Sequence, residues 1–148
     1  MTFLLDINVL IALLDPAHVQ HDSAHAWFAT QGQSAWATCP LTENGVLRIV
    51  GNPRYPNSPG TPAAVMPLLQ GLCALSGHVF WPDDISMVDG DQFDAAKLLS
   101  SGQITDSYLL ALSNTRTGQL ATFDRRLVKE AVKAGGRSVH LIAPGNCG

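Results

Sequence analysis

A chain of 148 residues that is 46% hydrophobic and only 14% charged has enough apolar material for a well-filled core, which excludes a disordered chain. Its net charge of −3 excludes a protein that holds nucleic acid mainly by bulk positive field, but leaves room for a nucleic-acid enzyme whose acidity is local. Three cysteines without paired spacing, Cys39, Cys73 and Cys147, exclude a disulfide framework or zinc ribbon and suit a reducing cytoplasm.

Residues 2–5 read as a short buried strand and residues 8–14 as an apolar helix that follows at once. Asp6 therefore stands at the carboxyl end of a strand and the amino end of a helix, where open α/β sheets bind ligands. This N-terminal stretch has no basic flank or small-residue cleavage site, and Asp6 interrupts it, so it is read as neither signal peptide nor membrane span. Asp15-Pro16 stops the pattern. A second helix is expected from His18 or His21 to Thr30, burying Ala24, Trp27 and Phe28, with Gly32 closing it. Residues 34–38 are a strand candidate, and Pro40 opens a third helix with Val46, Leu47, Ile49 and Val50 as its stripe.

Residues 51–62 carry four prolines and two glycines and read as a loop. A fourth helix is expected from Thr61 or Pro62 to Leu75, with Pro67 either kinking it or marking its first turn. Residues 79–81 follow as a strand, 82–91 as an acidic turn region and 93–99 as a short helix. Residues 106–115 are helical and almost wholly apolar, 119–123 a strand, 127–134 a helix, 138–142 a last strand and 145–148 a tail. Strands alternating with helices imply a mainly parallel sheet covered on both faces. With no linker and no internal repeat, residues 1–148 read as one domain.

Four carboxylates lie among apolar neighbours at strand–helix seams. They are Asp6, Glu43 in the first turn of the third helix, Asp106 at a helix start, and Asp124 directly after a strand. Singly, each is accounted for by N-capping or by acids complementing a helix dipole. Together they resist that account, because parallel strands bring their carboxyl ends to one edge. Two carboxylates about 5 Å apart repel by about 3 kcal/mol at an effective dielectric near 20. Several such pairs would consume much of a net stability of about 5–15 kcal/mol. The cluster needs protons or cations, and hard oxygen donors select Mg²⁺ or Mn²⁺ over zinc.

Other features read more blandly. His18, His21 and His25 have approximate helical spacing but no further ligands nearby, so they read as helix surface rather than a zinc site. Asp83, Asp84, Asp89, Asp91 and Asp94 lack the glycine and terminal glutamate of a calcium loop and read as a solvated turn and a helix cap. Trp27, Trp36 and Trp81 read as core or dimer contacts. Arg125, Arg126, Lys129, Lys133 and Arg137 form a local basic run, either a phosphate-binding face or a solvated helix face.

The four acidic segments, in this order, resemble the PIN-domain ribonucleases, most closely the VapC-type toxins of toxin–antitoxin pairs. Leu4-Leu5-Asp6-Ile7-Asn8-Val9-Leu10-Ile11 looks like the family's first motif, and Pro40-Leu41-Thr42-Glu43-Asn44-Gly45 like its glutamate motif. Thr105-Asp106-Ser107-Tyr108-Leu109 and Thr122-Phe123-Asp124 look like the third and fourth. The resemblance implies a three-layer α/β/α sandwich on a parallel sheet and a Mg²⁺- or Mn²⁺-dependent endoribonuclease. It also implies a homodimer, an RNA substrate and an inhibitory cognate antitoxin offering a basic or apolar side chain to the acidic groove. Carried over by position, Asp6, Glu43, Asp106 and Asp124 are the catalytic and metal-holding acids, with Asn8 and Thr122 as polar supports. Arg125, Arg126 and Arg48 are candidate contacts to substrate phosphates. Two departures stand out: Ile7 replaces a small or hydroxylated residue, and Arg126 stands where some members carry a further acid. The alternatives are a module that binds RNA or a protein partner without cleavage, and an aspartate-based phosphotransferase. The latter needs a second aspartate at position 8, which is Asn, or a lysine after a late strand, and none lies between Lys97 and Lys129.

Overall fold

Five short strands form the sheet in the computed structural model of the chain, which describes residues 1–143. They are β1 (Phe3–Leu5), β2 (Trp36–Thr38), β3 (His78–Phe80), β4 (Gln119–Thr122) and β5 (Val139–Leu141). All pairings are parallel and the order is β3-β2-β1-β4-β5. From central β1 the chain winds outward through β2 and β3, then returns to the other side of β1 for β4 and β5. Such a reversal opens a crevice beyond the carboxyl ends of the two strands where it occurs, here β1 and β4.

Side chains alternate across the sheet. Leu5, Trp36 and Ala121 face a layer made by α1 (Ile7–Leu14), α2 (His21–Trp27), α3 (Pro40–Val50) and α4 (Pro62–Cys73). Leu4, Ala37 and Leu120 face the opposite layer, built on α5 (Ile104–Thr115). This is the expected α/β/α sandwich. Helix α5 is buried without a break from Ser107 to Ser113, because the sheet covers one side and the segments around Phe93, Leu127 and Val132 the other. That double cover is why its sequence is apolar on every face.

Several elements differ from expectation. Helix α2 runs into a π-helical turn, Phe28–Gly32, in place of a single helix to residue 30. Pro67 lies inside α4, not in its first turn, and is exposed. The helix expected at 93–99 is reduced to one 3-10 turn, Ala95–Lys97, in which the Ala96 N–H is capped by the Asp94 side chain. The helix expected at 127–134 does not form, although its composition favours one. Its backbone pairs with residues 92–94 instead: Asp94 N–H donates to Ala131 O (2.8 Å), Lys133 N–H donates to Gln92 O (3.1 Å), and Phe93 bridges Val132. That pairing buries Phe93, Ala131 and Val132 together, and packing overrides a weak local propensity. The tail at 145–148 and Cys147 lie outside the described residues.

Histidines 21 and 25 donate ring N–H groups to the carbonyls of Ala12 (2.7 Å) and Leu13 (2.8 Å), closing orphan acceptors at the end of α1. All three tryptophans are buried core residues. The proline-rich loop is fastened at Asp15, which accepts from the Tyr55 hydroxyl, from Asn57 Nδ2 (2.6 Å) and from Ala17 N–H (2.9 Å).

Ile7 has a structural account. A Cβ on Gly45 would meet Ile7 Cδ1 at 2.5 Å and Cγ1 at 2.9 Å, so the first turn of α1 lies directly on the α3 backbone. This contact fixes the spacing between the element that starts after Asp6 and the one that carries Glu43. Gly45→Ala is expected to cost about 1–3 kcal/mol through overpacking, despite its better helix propensity. Adding Ile7→Val removes the nearest obstructing carbon, Cδ1, and leaves Cγ1 at 2.9 Å, so the double variant is expected to recover part of the loss in urea unfolding. Simple additivity of the two changes would refute the contact.

Candidate functional site

Asp6 caps the N-terminus of α1, its Oδ1 accepting from Ile7 N–H at 2.7 Å. It is only 6% exposed. Its N–H donates to Ala121 O (3.0 Å), which ties the end of β1 to β4. Its second oxygen, Oδ2, accepts from the hydroxyl of Thr122 at 2.9 Å. Thr122 is fully buried at the end of β4, and its oxygen accepts from Asp124 N–H at 3.0 Å. One hydroxyl therefore holds the Asp6 carboxylate and sets the turn that presents Asp124. Arg126 N–H completes that turn by donating to Asp124 Oδ1 at 2.8 Å.

Asp106 arrives from the opposite layer, in the first turn of α5 and half-buried. Burial, with the negative charges of Asp6 and Asp124 added, pushes its carboxyl up to about 6. Burial also raises Asp6; the bonds from Thr122 and Ile7 oppose that rise and the charge of Asp124 adds to it. These three aspartates thus share one field, at the crevice where the winding reverses. No ion pair neutralises them: among the described residues the ion pairs are Lys97–Asp94 and Arg116–Asp84.

Glu43 is held differently. Its Oε2 accepts from the hydroxyl of Thr38 at 2.8 Å, and the Thr38 oxygen lies 2.8 Å from His78 Nε2. Because the hydroxyl proton goes to Glu43, His78 Nε2 must carry the hydrogen that Thr38 accepts. Burial holds the His78 imidazole below its ordinary value, against the charge of Glu43. Glu43 is therefore bracketed over β2 and β3, and its charge is felt by His78 and Cys73. Thr38 and His78 were not singled out in the sequence. The available signal was a repeat of residue type: β2 ends in Ala37-Thr38 and β4 in Ala121-Thr122, and each terminal threonine donates to an acid.

The remaining candidates are placed as follows. Asn8 is exposed, and no partner holds its amide among the described residues. Arg125 and Arg126 are exposed in the turn after β4, and Arg48 is exposed in the last turn of α3. None of the three forms an ion pair among the described residues.

Could such a set hold a divalent cation? Among the described residues, no three His, Cys, Asp or Glu side chains stand ready to ligate one ion together. The donor chemistry nevertheless fits Mg²⁺ or Mn²⁺. Three carboxylates share a raised negative field with no cationic side chain paired to them, and hard oxygen donors are what these ions take. Mg²⁺ keeps several waters and is held through one or two carboxylates together with substrate phosphates, not by an all-protein cage. A loose set of aspartates around a groove matches that habit.

No family model matches the chain. Individual proteins do. It is 42% identical over 141 residues to ribonuclease VapC44 of Mycobacterium tuberculosis, covering 95% of this chain and 98% of that protein. Ribonuclease VapC39 of the same organism is 41% identical over 131 residues, covering 88% and 94%. Ribonuclease VapC38 is 40% identical over 121 residues, covering 82% and 84%. With this identity along nearly its whole length, and a parallel α/β/α sandwich bearing acids at its winding reversal, the chain belongs to the VapC-type PIN-domain ribonuclease family.

Proposed function

We propose that the chain is a Mg²⁺- or Mn²⁺-dependent endoribonuclease, a single nuclease unit over residues 1–148 that acts as the toxin of a toxin–antitoxin pair. The observation that carries this reading is the convergence of Asp6, Asp106 and Asp124 from three elements on one crevice without a cationic partner. The relatives named ribonucleases support the substrate class. When bound, the cation would supply neutralisation of the phosphoryl transition state and activation of water. Asp6, Asp106 and Asp124 would hold it directly or through water. Glu43, fixed by Thr38, would assist in holding it or in orienting the attacking water. Thr122 keeps Asp6 and Asp124 in register, and Asn8 would support the site from the first turn of α1. Arg125, Arg126 and Arg48 would meet substrate phosphates on the rim. In the hydrolysis itself, the water oxygen attacks phosphorus in line with the departing 3′ oxygen.

The same reading makes the cognate antitoxin the natural protein partner, one that presents a basic or apolar side chain to the acidic groove, and makes the working form a homodimer. Among the described residues no helix is long and apolar enough to cross a membrane. The sparse cysteines suit a reducing cytoplasm. The deciding assay is cleavage of labelled RNA with Mn²⁺ or Mg²⁺ and with EDTA. Internal cuts that need the cation are expected. RNA binding without cuts under any cation would favour the non-cleaving module.

A further inference from the structure

We propose that a pocket beside the acidic site, between the start of α3, the loop after β3 and the start of α5, receives a guanine base of the RNA, with Asp83 as its recognition group. This rests on the RNA-cleaving reading above.

The pocket has a volume of about 340 Å³ and is walled by Leu41, Ile85, Met87, Thr105 and Tyr108, with Asp83 as its charged member. That volume is at the small end of the roughly 300–1,000 Å³ of ligand sites, which suits one planar base and not a length of chain. Two of its walls come from the first turns of α3 and α5, the turns that also carry Glu43 and Asp106. Thr105 precedes Asp106, and Leu41 lies two residues before Glu43. A nucleotide whose base fills it would bring its phosphates toward the acidic groove. Leu41, Ile85 and Met87 offer aliphatic and thioether surface to the faces of a base, and none of them carries a charge that would repel it.

Asp83 is fixed in a manner unusual for an exposed acid. Its Oδ1 accepts from the hydroxyl of the buried Tyr108 at 2.8 Å, and its Oδ2 accepts from Leu41 N–H at 3.0 Å. The sequence placed it in a solvated turn, but both oxygens are oriented by the protein. These bonds take one lone pair on each oxygen and the Cys39 thiol also lies against the carboxylate, while among the described residues no cation pairs with Asp83; Arg116 is taken by Asp84 instead. A carboxylate with both oxygens oriented asks for two adjacent donors. Guanine alone among the four bases offers them, its N1–H beside its 2-amino group. Adenine and cytosine each place a ring-nitrogen acceptor beside the amino group, and uracil flanks its N3–H with two carbonyls. Those acceptors would face the carboxylate and be repelled.

Titration of the full chain with GMP, IMP and AMP, followed by amide NMR shifts at Leu41 and Tyr108, tests the site without requiring cleavage. IMP lacks only the 2-amino group. GMP is expected to bind at least about tenfold more tightly than IMP or AMP, the worth of a hydrogen bond to a charged acceptor. Asp83→Asn is expected to lose that preference. Met87→Trp, which fills the pocket while leaving the Asp83–Tyr108 pair alone, is expected to block all three nucleotides. Equal affinities, absence of saturable binding, or a GMP preference that survives both variants would overturn the proposal. On RNA, wild type is expected to cut beside guanine, and the cuts that Asp83→Asn makes are expected to lose that bias. An unchanged cut pattern alongside an intact GMP preference would assign the pocket to free guanine nucleotides and overturn the RNA assignment. Failure to cut any RNA would strike the proposed function, while the GMP titration would still report on the pocket.

Discussion

Asp6→Asn is expected to reduce RNA cleavage by a factor on the order of 10²–10³, the scale seen when one preorganised electrostatic group is removed from an active site. The fold is expected to survive. Asparagine is as good an N-cap as aspartate, so the bond to Ile7 N–H can persist through Oδ1. The cost falls on Thr122, whose hydroxyl would meet an amide N–H₂ where it now donates to Oδ2. That loss is offset, because a carboxylate 6% exposed is no longer buried against two other negative charges. Thermal unfolding should therefore change little while activity collapses. The same variant makes an independent electrostatic prediction. Asp106 is raised partly by the charge of Asp6, so its carboxyl should titrate lower in Asp6→Asn, as read by carboxyl-carbon NMR. Cleavage at the wild-type rate would remove Asp6 from the catalytic set. An unmoved Asp106 titration would show that the aspartates do not share a field.

The seam position of Asp6 was legible in the sequence because three physical rules coincide there. A short apolar run ends, an apolar helix begins, and a carboxylate stands between them. Asp124 was legible because the apolar run of β4 ends just before it, although no helix follows, and Thr122 entered only through the family resemblance. That the strands are parallel followed from the alternation of strands and helices, since parallel strands require crossovers; their order was not read from it. What the sequence concealed was tertiary. Residues 127–134 have a helical composition, yet their backbone donors and acceptors are taken by residues 92–94, a pairing separated by about forty positions that no local pattern reveals. Glu43 read as one of four equivalent acids, but the Thr38–His78 bracket holds it over β2 and β3. Ile7 looked like a lost hydroxyl in the first motif. In the fold it is the knob that fits the bare backbone at Gly45, a role that can be read only once α1 and α3 are known to cross there.

Without a divalent cation, the protein is expected to lose stability as pH rises from about 4 to above 6. The sign follows from Asp106. Its carboxyl titrates at about 6 in the folded chain, against an ordinary value of 3.8. Between those values the folded state binds more protons than the unfolded state, so raising the pH favours unfolding. Below the window both states are protonated, and above it both are ionised with the full penalty in place. Asp106 is half-exposed, so solvent screening reduces the effect to about 1 kcal/mol. Asp6, raised in the same direction, adds to it. Asp15 acts oppositely and elsewhere: its hydrogen bonds from Tyr55 and Asn57 prevail over burial and hold its carboxyl below the ordinary value. Its contribution is present at neutral pH and is lost only as the pH falls below the Asp106 window. Mg²⁺ or Mn²⁺ should reverse the upper slope, because the cation binds the ionised aspartates and the proton competes with it. At a hundred times its dissociation constant a cation would stabilise the native state by about 2.7 kcal/mol. Thermal unfolding near pH 5 and near pH 7.5, with Mg²⁺ and with EDTA, is expected to show a larger cation-induced rise in Tm at the higher pH. In Asp106→Asn the metal-free slope should flatten and the pH dependence of the cation effect should shrink. A cation effect of equal size at both pH values, or one untouched by Asp106→Asn, would mean that the ion binds somewhere other than the crevice between β1 and β4.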